Sequence, residues 1–100
     1  MRYSLEFRDS AWKEWQKLDR GMREQFKARL AERLENPHVE SARLAGMPDC
    51  YKIKLRAAGY RLVYQVFDAR VVVVVVAIGK REDSAVYRKA QGRLKRGEGR

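Results

Sequence analysis

Apolar residues recur along this chain with two different periods, and the switches between them mark out its elements. Tyr3, Leu5 and Phe7 alternate with Ser4 and Glu6, the period of a short strand. Ala11, Trp12, Trp15 and Leu18 follow at helical spacing, predicting a helix that Asp9 or Ser10 can cap and whose two tryptophans enter the core. Asp19-Arg20-Gly21 breaks it. Met22, Phe26, Leu30 and Leu34 then form one i, i+4 row of a second helix, which ends at Asn36-Pro37. So short a break between helices predicts a helical hairpin packed on a sheet.

His38 to Asp49 reads as a connection with little regular structure. Beyond it, Tyr51, Ile53 and Leu55 occupy one set of alternate positions, and Lys52, Lys54 and Arg56 the other. Side chains in a strand point to opposite faces in turn, so one face is apolar and the other carries a row of cations. Ala57-Ala58-Gly59 turns the chain into a second strand, Tyr60 to Phe67, which adds Arg61. Val71 to Ile78 has no polar alternation, so this strand is expected in the middle of the sheet, covered on both faces and ended by Gly79. Asp83 or Ser84 can cap a last helix reaching about Leu94, with Gly92 weakening its end. These elements predict an α+β fold: an antiparallel sheet of about four strands, an N-terminal helical hairpin packed on it, and a C-terminal helix. One domain is expected over residues 1–94, with a basic, fraying tail at 95–100.

Charge narrows the partners. Lys plus Arg number 23 against 13 Asp plus Glu, a net charge of +10, which favours polyanions and nucleic acid first among them. Half of that excess lies between Lys80 and Arg100. Cys50 is the only cysteine, so no internal disulfide forms, and the only histidine, His38, offers no evident partner for a catalytic thiol. The N-terminus carries no apolar signal core, and eight residues of the valine run are too few to span a bilayer, so a cytoplasmic protein without a membrane segment is expected. No metal-ligand spacing and no glycine-rich phosphate loop occurs, so neither metal nor cofactor is predicted.

No carboxylate interrupts the stretch from Lys52 to Arg61. If the valine strand pairs antiparallel with Tyr60–Phe67, its end returns near Arg61. Lys52, Lys54, Arg61, Arg81 and Tyr87 could then surround one phosphate, either to cleave it or simply to hold nucleic acid. Lys80, Arg56, Arg43, Arg88 and Lys95 are the further RNA-binding candidates. The mixed charges of the second helix, Arg23, Lys27, Arg29 and Arg33 with Glu24, Glu32 and Glu35, read as a solvated face whose basic members could touch RNA.

The order Lys52-Ile53-Lys54, Gly59 to Tyr64, a valine-rich strand, Gly79-Lys80-Arg81-Glu82 and Tyr87 resembles the RelE toxins of the RelE/ParE superfamily. Gly46-Met47-Pro48-Asp49-Cys50-Tyr51 and Lys13-Glu14-Trp15 share the resemblance, which runs from about Tyr3 to Leu94. It implies a metal-independent endoribonuclease that cuts messenger RNA in the A site of the 70S ribosome, touching 16S ribosomal RNA. It also implies a RelB-type antitoxin that carries the toxin to operator DNA. Against so basic a surface that partner is expected to be acidic and partly disordered, and to cover or displace the last helix, which moves Tyr87. By matching position, Lys52, Lys54, Arg61, Arg81 and Tyr87 are the active-site set. Lys54 is then the base for the 2′-hydroxyl, Lys52 and Arg61 hold the phosphate, and Tyr87 stacks on a base. The resemblance offers Arg81 as the acid, although a guanidinium parts with its proton poorly and an electrostatic clamp fits equally well. Ala45 departs from the pattern where a basic residue often stands. The remaining readings are a non-catalytic gyrase inhibitor of the ParE kind and a plain RNA- or ribosome-binding module.

Overall fold

The computed structural model describes residues 2–80 and 85–96. Their elements run β1 (Ser4–Phe7), α1 (Asp9–Lys17), α2 (Arg20–Glu35), β2 (Cys50–Leu55), β3 (Tyr60–Phe67), β4 (Val72–Lys80) and α3 (Ala85–Arg96). The four strands form one sheet in the order β1-β4-β3-β2. Pairings β2–β3 and β3–β4 are antiparallel as expected, but β1 lies parallel to β4, so the sheet is mixed. The reason is topological. Two helices in succession return the chain to its starting side, β2 therefore runs in the direction of β1, and two further reversals leave β4 running the same way.

Each face of the sheet has its own core. Ala11, Trp15 and Leu18 with Phe26, Leu30 and Leu34 pack on Ile53, Leu55, Leu62, Tyr64, Val73 and Val75, which joins α1 and α2 to one face. On the other face, Val86 and Ala90 of α3 pack on Cys50, Val63, Val76 and Ala77. The valine run serves both through a bulge: Val63 pairs with Ala77 and Tyr64 with Val75, leaving Val76 without a partner. Val76 and Ala77 consequently enter the same core, whereas strict alternation would separate them. All of Val72 to Ile78 is buried, as the unbroken apolar run requires.

Several sequence expectations shift in detail. Arg8, without a side-chain cap bond, precedes α1, and Asp9 lies inside the first turn, where its charge complements the helix dipole. Asp19 does more than break the first helix: its carboxylate accepts the Met22 N–H at 2.8 Å and caps α2. Trp12 is 45% exposed rather than core, because Ala11 and Trp15 take the buried face of α1 and leave Trp12 edge-on to Phe7 at the rim, 5.2 Å between centroids. The connection holds a 3₁₀ turn, Glu40–Ala42, and a bridge from Arg43 to Tyr51. β4 starts at Val72, after a left-handed Val71, and passes through Gly79 to Lys80. The proposed caps Asp83 and Ser84, and the last four residues of the tail, lie outside the described residues.

A polar knot pins the connection to the sheet. Tyr64 donates to Pro37 O at 2.8 Å, and its ring stacks on Tyr51 at 5.6 Å. His38 stands between the Tyr51 hydroxyl, at 2.7 Å, and Asp68, at 2.8 Å. Its two ring nitrogens are thereby both engaged in holding the fold.

Candidate nucleic-acid interface

The alternation in β2 sorts its side chains as the sequence requires. Tyr51, Ile53 and Leu55 are buried under α1 and α2, while Lys52 and Lys54 stay half-exposed on the α3 side. Lys54 stands directly across from Arg61, a separation of about 5 Å between β-carbons for such pairs. Arg61 in turn faces Gly79, and Tyr60 faces Lys80, so the end of the valine strand does return to the cationic row. Arg61 is 8% exposed, and its Nη1 donates to Tyr60 O at 3.2 Å. Among the described residues no carboxylate lies within ion-pair distance of Lys52, Lys54 or Arg61.

Burial lowers the Lys54 pKa from its ordinary value, and the charges of Arg56, Lys52 and Arg61 push it further in the same direction. The sequence anticipates the like charges; burial is the larger cause. More of such an amine is in the neutral form that can take a proton near pH 7, and its neighbours present fixed positive charge to an oxyanion.

The lid over this face is α3. Half-buried Tyr87 sits on the rim of the core that joins α3 to Val63, Val76 and Ala77. A carboxylate whose role the sequence pattern did not reveal holds the helix there. Glu14, on α1, accepts from the Ile78 N–H at 2.9 Å, from Arg93 at 3.0 and 2.9 Å, and from Lys89 at 2.5 Å. Arg93 also donates to Val76 O at 2.9 Å and Lys89 to Ile78 O at 3.1 Å. Burial raises the Glu14 pKa, but Arg93, Lys89 and the Ile78 N–H outweigh it, leaving the carboxyl below its ordinary value.

The structure thus brings Lys52, Lys54 and Arg61 together and sets Tyr87 on the helix over the same face; Arg81 lies outside the described residues. Among the further candidates, Arg56 and Lys80 are exposed beside the cluster, at the turn after β2 and the end of β4. Arg88 and Lys95 are exposed on α3, Lys95 about 12 Å along the helix from Tyr87. Arg43 is committed elsewhere: it donates to the Tyr51 hydroxyl at 2.9 Å and pairs with Glu40 at 3.4 Å. Cys50 is fully buried, and burial drives its thiol up to about 12, far from a reactive thiolate.

Two arginines that the sequence grouped with a mostly solvated helix face, whose basic members could touch RNA, turn inward to the sheet edge. Arg33 reaches across from α2 to donate to Lys52 O at 3.0 Å and to the Tyr64 hydroxyl at 2.9 Å; Arg29 donates to Lys54 O at 3.4 Å. They line a groove of about 500 Å³ together with Lys52, Lys54 and Arg56. Their signal was their place one residue before the buried Leu30 and Leu34, which puts both beside the sheet-facing stripe.

Known proteins resemble this chain in sequence and in fold. A family model described as the ParE toxin of type II toxin–antitoxin systems, parDE, matches residues 5–85. The mRNA interferase toxin RelE of Escherichia coli (strain K12) is 57% identical over 94 residues, covering 94% of this chain and 99% of that protein. A double mutant of E. coli toxin RelE in the free state superposes with a TM-score of 0.87 at 56% identity, over 94% of this chain and 99% of that one. A chain of the intact E. coli RelBE toxin–antitoxin complex gives 0.78 at 59% identity, over 80% of this chain and 98% of that one. With a family model matched over residues 5–85 and 57% identity to a RelE toxin over nearly its whole length, the chain belongs to the RelE toxins of the RelE/ParE family, the toxin components of type II toxin–antitoxin systems.

Proposed function

We propose that this protein is a ribosome-dependent endoribonuclease that cleaves messenger RNA in the A site and is neutralised by a RelB-type antitoxin. The observation that carries the reading is the uncompensated trio Lys52, Lys54 and Arg61, converging on one sheet face under a helix that bears an aromatic ring. Similarity to an mRNA interferase and to a chain of a toxin–antitoxin complex supports it.

Cleavage by the neighbouring 2′-hydroxyl needs no metal and no protein nucleophile. Lys54, in its neutral form, takes the 2′ proton as that oxygen attacks phosphorus. Lys52 and Arg61 stabilise the charge that accumulates on the phosphoryl oxygens, and the 5′-oxygen leaves with a proton from Arg81 or a water. The products are a 2′,3′-cyclic phosphate and a 5′-hydroxyl. Tyr87 stacks on a base and fixes the strand in line. Positioned proton transfer contributes about 10²–10⁴-fold and a well-placed partner adds several orders more, so activity on free RNA is slow and the ribosome supplies the orientation. The net charge of +10 suits contact with 16S ribosomal RNA and with an acidic antitoxin, through which the toxin reaches operator DNA in the cytoplasm.

Lys54→Met keeps the stem and removes the base. Its cleavage on programmed ribosomes is expected to fall by at least about 100-fold while ribosome affinity holds. Wild-type cleavage by this variant, or growth arrest accompanied by DNA breaks with messages intact, would reject the reading in favour of a binding module or a gyrase inhibitor.

A further inference from the structure

Adjoining the cleavage site, the groove between α2 and the edge strand β2 is lined by cations without acidic neighbours. Arg29, Arg33, Lys52, Lys54 and Arg56 line it with Gln25 and Ser41, and no acidic residue contributes to its walls. Six cations outside the groove, Arg2, Lys27, Arg43, Arg70, Lys89 and Arg93, each meet a glutamate. Among the described residues, none of the five groove cations has such a partner. At Lys54 burial is the first cause that disfavours the charged form, and repulsion from Arg56, Lys52 and Arg61 adds to it. An anion seated in the groove relieves that repulsion.

The site is also preorganised. Arg29 and Arg33 are half-buried, four residues apart on α2, and each spends an N–H on an outward carbonyl of β2. Those bonds lie along an exposed strand edge, and the 3.0 Å bond of Arg33 holds its guanidinium in place. The remaining N–H groups of each planar fork suit phosphate oxygens.

We propose that this groove is a second phosphate-binding site, holding the sugar–phosphate backbone of RNA next to the scissile linkage, with Arg29 as a phosphate ligand outside the catalytic set. The proposal rests on the nuclease reading, because Lys52 and Lys54 line both sites and make them continuous. RNA suits the groove better than an acidic peptide does. A peptide interface needs an apolar centre, and the apolar groove of this protein, lined by Leu5, Phe7, Trp12, Trp15 and Leu30, is a separate one.

The test follows the affinity of the full chain for a short oligoadenylate, made non-cleavable with 2′-deoxyribose, as NaCl is varied. Arg29→Gln is expected to reduce the salt slope by about 0.7 and the affinity at 0.1 M by about fivefold; Arg29→Glu weakens it further, and Arg29→Lys restores the slope. Folding is spared, since the described contact of the guanidinium is one bond of 3.4 Å. A parallel arm uses ribosomes without message. Loss on the oligonucleotide supports the proposal; loss on empty ribosomes alone assigns the groove to ribosomal RNA away from the scissile linkage and overturns it. Unchanged slopes in both arms, or weakening toward polyglutamate alone, overturn it. The probe cannot be cut, so this result is independent of whether Lys54→Met abolishes cleavage.

Discussion

Glu14→Gln isolates the clamp on the last helix. The substitution keeps the shape of the side chain, which is 19% exposed, but replaces one acceptor oxygen by a donor facing Lys89 and Arg93. Lys89, at 39% side-chain exposure, can recover hydration; Arg93, at 10%, cannot. Hydrogen bonds to charged groups contribute about 1.5–3 kcal/mol each, and orphaning a buried charge costs about 3–5 kcal/mol, so a net loss of about 3 kcal/mol is expected. For a domain of this size that lowers the thermal midpoint by roughly 12–24 °C. The pH dependence supplies the sign. Because the folded carboxyl lies below its ordinary value, its contribution is complete above about pH 4.3 and disappears as pH falls through the folded pKa. Denaturant titrations of both proteins at pH 7 and through the acid range should therefore show a gap that closes on acidification. A variant within about 0.5 kcal/mol of wild type at pH 7, or a gap that persists in acid, would refute the role given to Glu14.

Two simpler outcomes test the packing. Phe26→Ala, at a fully buried position between α2 and the sheet, should cost about 3–5 kcal/mol, whereas Trp12→Ala at the exposed rim should cost under about 1.5 kcal/mol; equal losses in denaturant titration would contradict the assignment of core and rim. Cys50 should resist iodoacetamide at mildly alkaline pH until denaturant unfolds the chain, and rapid labelling of the native protein, read by mass spectrometry, would show that the thiol is neither buried nor held at about 12.

What could be read from the sequence was whatever repeats locally. Tyr51, Ile53 and Leu55 against Lys52 and Lys54 expose a period of two in five residues, and that pattern alone places a cationic row on one side of a strand. The i, i+4 row from Met22 to Leu34 is equally plain. The parallel seat of β1 was not legible, because four residues carry no record of which strand they join. Nor was the bulge at Val76, since a run of valines looks the same in either register. Trp12 shows the limit of spacing: α1 is nine residues long, and helical periodicity could not say that Ala11 and Trp15 alone would meet the sheet. Glu14, Arg29 and Arg33 were missed for a different reason. Each acts on backbone or charge brought close by tertiary structure, Glu14 on groups more than sixty residues away, and the local sequence gives no more than a place on a helix face.

The claim beneath the functional account is that Lys52, Lys54 and Arg61 act together on a single phosphodiester. Mapping message 5′ ends from translating ribosomes treated with the purified protein, and identifying the chemistry of those ends, tests it directly. New 5′-hydroxyl ends confined to A-site codons, present with the wild-type chain and absent with Lys54→Met, are the predicted result. Intact messages, or 5′-phosphate ends that persist when Lys54 is replaced, would contradict it.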